Sequence, residues 1–76
     1  MYLHIGSSHT LRRREIVGIF DLDTASVSAV TKEFLKKAEN EKRTVTATED
    51  LPKSFLVTED GKVYFSQISS GTLNGR

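Results

Sequence analysis

The chain has 76 residues, a net charge of +1 and no cysteine, which excludes a disulfide framework and a thiolate zinc site and leaves bulk charge neutral towards polyanions. A chain of this length is expected to be one domain, 1–76, and buries only about 60% of its unfolded surface, so self-association would help to stabilise it. No apolar run approaches the roughly 20 residues of a bilayer span, and MYLHIGSSHTLRRR lacks the basic-then-apolar order of a signal peptide, so no membrane partner is expected and a reducing cytoplasm is the expected location.

In chain order, Tyr2-Leu3-His4-Ile5 reads as a short strand stopped by Gly6-Ser7-Ser8, and Thr10-Leu11 begins a second strand returning beside it. Ile16-Val17-Gly18-Ile19-Phe20 is continuously apolar, which predicts a central strand. Asp21 to Thr24 ends that strand and offers helix caps, with Asp23, Thr24 and Ser26 equally eligible as the N-cap. From about Ala25 to Glu41, the apolar residues Val27, Val30, Phe34 and Ala38 follow helical spacing, with Leu35 widening the stripe. Lys32, Lys36 and Arg43 line the opposite side, and Glu33, Lys37 and Glu41 form an i,i+4 ladder. Thr44-Val45-Thr46-Ala47 alternates as a half-buried strand should. Glu49-Asp50-Leu51-Pro52-Lys53 is a polar loop holding the only proline, a residue that breaks regular structure.

Ser54 to Gln67 reads as a β-hairpin centred on Asp60-Gly61. A two-residue turn there pairs Val57 with Tyr64 and Leu56 with Phe65. One face then carries Phe55, Val57 and Tyr64, and the other Leu56, Val63 and Phe65. Both faces are apolar, yet one good helix is in sight to cover them, so a second subunit is the simplest missing cover. Phe55, Val57 and Tyr64 are therefore candidate oligomer-interface residues. Ser69 or Ser70 is placed to cap a last short turn containing Leu73. The predicted fold class is α+β, a small mixed or antiparallel sheet of about five strands with one amphipathic helix on one face, the C-terminal hairpin and a terminal turn.

Chemistry beyond binding finds little support. His4 and His9 are the only imidazoles, with no CxxC, HExxH or acidic cluster beside them, so no metal site is expected and His4 reads as a strand residue. Gly6-Ser7-Ser8 lacks the lysine and helix of a phosphate loop and reads as a turn. No serine stands in a pattern suggesting a base and an orienting carboxylate. Catalysis and cofactors are accordingly not expected. Arg12-Arg13-Arg14 has two readings. Charged residues at a sheet edge discourage unwanted strand addition, whereas a short basic patch can contact phosphate. In a strand, Arg12 and Arg14 would share a side and Arg13 would oppose them.

HIG near the start, IVGIFDLDTASVS into the helix, EFLKKAE within it, EDLPKSFLVT before the turn and VYFSQISSGTL at the end together resemble the RemA/RemB family of bacterial extracellular-matrix regulatory proteins, the RemB-like branch in particular. The resemblance spans essentially the whole chain, and DLPKSFLVT and SQISSGTL are its most specific parts. It implies a small α+β subunit of a ring-shaped homo-oligomer that binds double-stranded DNA and activates biofilm-matrix genes. The loop that carries DNA-contacting arginines in the RemA branch here reads Glu49-Asp50-Leu51-Pro52-Lys53, with Lys53 its basic residue. A second basic position of that branch is matched here by Glu15, with the Arg12-Arg13-Arg14 triplet directly before it as a replacement contact. The candidate DNA-binding residues are thus Arg12, Arg13, Arg14 and Lys53, and Ile68, within the terminal octet, joins the candidate interface. The alternative implied by the acidic loop is a ring-forming protein–protein interaction module, with a RemA-type partner and no direct DNA contact.

Overall fold

The computed structural model describes residues 2–6, 9–22, 29–48 and 51–75, and among these residues the elements of an α+β fold are two sheets, a helix of twelve residues and one of five. Strands β1 (Tyr2–Gly6) and β2 (His9–Arg12) form an antiparallel hairpin. A single 3-10 turn (Arg13–Glu15) leads into β3 (Ile16–Asp21). Helix α1 (Ala29–Asn40), strands β4 (Thr44–Thr46), β5 (Ser54–Thr58) and β6 (Val63–Ser66), and helix α2 (Ser70–Asn74) complete the order. The main sheet runs β3-β5-β6-β4, antiparallel except for β4 against β6. Six strands in two sheets replace the expected single sheet of about five. The three candidate N-caps Asp23, Thr24 and Ser26 lie outside the described residues. At the other end, Ser69 is the N-cap of α2, its hydroxyl accepting from Thr72 N–H at 3.3 Å.

The hairpin register differs from the predicted one by a residue. Val57 faces Val63, Leu56 faces Tyr64 and Phe55 faces Phe65. Asp60 does not take positive φ. Thr58 C=O accepts from Gly61 N–H at 3.0 Å, Thr58 N–H donates to Lys62 C=O at 3.1 Å, and Gly61 alone sits at φ +83°. The loop is therefore three residues long, a turn closed by a left-handed glycine, and the extra residue shifts every cross-strand partner.

That shift redistributes the side chains. Phe55, Val57, Val63 and Phe65 share one face with Ala38 and Leu35 of α1 and with Leu22. Leu56 and Tyr64 lie on the other, packed with Leu3, Ile5, Leu11, Ala47 and Leu73. The β1–β2 hairpin and α2 thus supply the second covering layer from the same chain, and the hairpin's two apolar faces no longer call for another subunit. Full burial of Leu3, Ile5, Leu56 and Leu73 stabilises the fold by about 1.5–3 kcal/mol per side chain. Two buried serines seal the seam. Ser66 Oγ donates to Ile5 C=O and accepts from Ile68 N–H, while Ser54 Oγ donates to Ile68 C=O at 2.6 Å.

Two further expectations are corrected here. β3 is an edge strand, not a central one, and Val17 and Phe20 are 68% and 42% exposed. The helical stripe is only partly buried, for Ala38 is inside while Val30 is 75% and Phe34 37% exposed. A continuous apolar run measures hydrophobicity, not position in the sheet.

Candidate nucleic-acid interface and apolar groove

Arg12 ends β2 in extended backbone, φ −76° and ψ 130°, and the next three residues wind into one 3-10 turn closed by Ile16 N–H donating to Arg13 C=O. Three residues per turn spread the side chains about 120° apart, so the alternation expected of a strand does not apply. Together with Tyr2, which pairs with Arg12 in the β1–β2 ladder, the three arginines line one depression of about 500 Å³. The turn is held from below by Glu59 N–H, which donates to Glu15 C=O at 2.9 Å.

The arginines are not equivalent. The Arg12 guanidinium lies 5.8 Å from the Tyr2 ring centre and its Nε is 3.8 Å from Glu15 Oε1, both side chains being about half exposed. A pair so solvated is worth at most about 1 kcal/mol, and it leaves Arg12 available to an anion. Arg14 is exposed. Arg13 is half-buried, and its Nη2 is shut off from solvent with no hydrogen-bond acceptor.

Lys53 is exposed but lies elsewhere. Its backbone is fixed by Leu22 N–H donating to its C=O at 3.0 Å and its own N–H donating to Ser66 C=O at 2.8 Å. Because β3 and β5 are antiparallel, with Ile16 opposite Thr58 and Asp21 opposite Ser54, the arginine turn and Lys53 occupy opposite ends of that strand pair, about 17 Å apart at the rise of an extended strand. Arg43 also leaves the expected stripe with Lys32 and Lys36, since Nη1 donates to Gly61 C=O and Nε pairs with Glu41 at 2.7 Å. It braces the β5–β6 turn.

The second surface feature is apolar. At the β3 edge of the sheet, Phe20 stacks on Phe55 with ring centres 5.1 Å apart, and Val30 and Phe34 of α1 line the same groove. Val17, Phe20, Val30, Phe34, Phe55 and Val57 line a groove of about 340 Å³. Of the four sequence-derived interface residues, Phe55 and Val57 line this groove, although Phe55 is only 2% exposed. Tyr64 and Ile68 pack against the opposite core. Sequence reasoning missed Tyr2 as a neighbour of the arginines, and it missed the groove because Val17 and Phe20 were assigned to a central strand. The exposed half of the helical stripe was the available signal.

Among the described residues, no three histidine or acidic side chains are grouped to hold a metal ion, and no helix is long and apolar enough to cross a membrane.

The fold and surface are those of a small α+β protein that carries a basic turn and an apolar groove at the β3 edge of its main sheet. The family model for RemA-like proteins, described as extracellular matrix regulatory protein A-like, matches residues 2–76. The chain is also 41% identical over 76 residues to extracellular matrix regulatory protein B of Bacillus subtilis strain 168, covering 100% of this chain and 89% of that one. The protein belongs to the RemA-like family, on its RemB-like side.

Proposed function

We propose that this protein regulates extracellular-matrix genes by contacting duplex DNA as a homo-oligomer, with the Arg12–Arg14 turn as the phosphate-binding element. The regulatory half of this reading is supported by the family and by the name of the B. subtilis relative. The DNA half rests on one observation, three arginines at the end of β2 and in the turn that follows it lining one surface depression. Repetition around a ring would multiply a patch that is weak in one subunit, giving affinity through many phosphate contacts and preference through groove shape. The groove at the β3 edge is the subunit contact in this reading, because unpaired strand edges and exposed aromatic surface both favour association.

The test is a fluorescence-anisotropy titration against promoter-length and scrambled duplexes at several salt concentrations. Expected is binding in roughly the micromolar range or tighter, falling linearly on a log-log salt plot, and lost when Arg12, Arg13 and Arg14 are replaced by glutamate while the native mass is kept. No binding by folded protein at low salt would defeat it. The second reading, a ring-forming interaction protein without DNA contact, is favoured by the separation of Lys53 from the arginine turn. It predicts that the same triple replacement changes nothing in DNA titrations.

A further inference from the structure

We infer that the depression lined by Tyr2, Arg12, Arg13 and Arg14 is a binding site for a small phosphorylated ligand, of the nucleotide class. The inference rests on the same phosphate-binding turn as the proposed function but assigns it a different source of phosphate. The backbone of a duplex is a convex ridge, and exposed side chains such as Arg14 suffice to meet it. A recess of about 500 Å³ is instead in the size range of small-molecule sites, roughly 300–1,000 Å³.

Arg13 lines the recess together with Arg12 and Arg14. Its Nη2 is closed off even to water, so the donors offered to a ligand are the other N–H groups of the three guanidinium forks. A terminal phosphate, small and with several free oxygens, can enter the recess and accept from them while the three charges neutralise its own. The ligand's other half is addressed by Tyr2. Its side chain is on the rim, the residue 62% exposed, and a planar base can stack on an aromatic ring or on a guanidinium. Among the described residues, the lining of the recess holds three cations and no carboxylate, as an anionic ligand requires.

Isothermal titration calorimetry of the whole chain with adenosine triphosphate, inorganic pyrophosphate and adenosine, alongside duplex DNA, tests this. Expected are saturable binding of adenosine triphosphate at one per subunit, competition by pyrophosphate, and no binding of adenosine. Replacing Arg13 by glutamine should weaken both phosphates by about tenfold or more, as loss of a charge-assisted bond does. Replacing Tyr2 by alanine should weaken adenosine triphosphate and spare pyrophosphate. Arg14→Gln, at an exposed position, provides a second variant if Arg13→Gln does not fold by circular dichroism. Duplex binding with no binding of either small phosphate overturns the inference and leaves the DNA reading standing. Failure of both overturns both. Binding of small phosphates that neither arginine variant weakens places the site elsewhere and also overturns it.

Discussion

Lys42 holds the least comfortable backbone among the described residues, a non-glycine at φ +58°. Its N–H donates to Glu39 C=O at 3.0 Å and Arg43 N–H donates to Ala38 C=O at 2.8 Å, which is the paired capping pattern that ends many helices and that usually employs glycine. Lys42→Gly should therefore raise stability by about 0.5 kcal/mol, the relief of left-handed strain being partly offset by the freer unfolded chain; urea denaturation reads the difference. Gly6 is the converse case. At φ +137° a Cβ would stand 2.4 Å from Ala47 C=O, backbone that cannot step aside, and Gly6→Ala should lower stability by about 2–3 kcal/mol in the same assay. Asp60 contributes a pH dependence. The Thr58 hydroxyl and then Lys62 N–H donate to its carboxylate, holding its carboxyl below the ordinary 3.8. The folded state takes up that proton less readily than the unfolded chain, so the contribution is complete above the ordinary value and is lost as pH falls through the lowered one. Acid denaturation of Asp60→Asn should lack this component, the two proteins' stabilities converging well below pH 3.8.

At the level of elements, sequence patterning located the strands, the helix and the β1–β2 and β5–β6 pairings, but not the β5–β6 register or the place of β3 in the sheet. Periodicity reports which residues are apolar, and it identified β1, β3, β5, β6 and the body of α1. It does not report how many residues a turn consumes. One extra residue at Glu59-Asp60-Gly61 moved Val63 and Phe65 to the Phe55 face and Tyr64 to the Leu56 face, and the cover expected from a second subunit is supplied by the β1–β2 hairpin and α2. Nor does apolarity distinguish a strand buried by its own sheet from one awaiting a partner, which is how β3 came to be expected at the centre. Val17 and Val30 stand at the exposed side of the groove, where a charge costs the fold little and an interface much. The double variant Val17→Lys, Val30→Glu should keep its circular dichroism and fall to a lower mass in size-exclusion light scattering. An unchanged mass would remove the groove as the subunit contact.

At the level of the molecule, the antiparallel pairing of β3 with β5 decides which charges can act together. Lys53 and the arginine turn cannot meet one phosphate from the same subunit. Each phosphate contact contributes about −0.9 to the logarithmic salt slope, so Arg14→Ala should flatten the slope by about that amount and Lys53→Ala should leave it unaltered in parallel titrations. Clustering of the three arginines was legible only as adjacency in sequence; the Tyr2 pairing comes from the β1–β2 hairpin, and the 3-10 turn after Arg12 is tied to the rest of the chain by Glu59 N–H donating to Glu15 C=O. The Ser66 to Ile5 hydrogen bond spans 61 residues, and Leu73 shares a core with Leu3. Closing so long a loop costs chain entropy before any of its contacts are gained. The seam is therefore expected to close late, as a kinetic latch, so that Ser66→Ala should speed unfolding more than it slows folding in stopped-flow measurements.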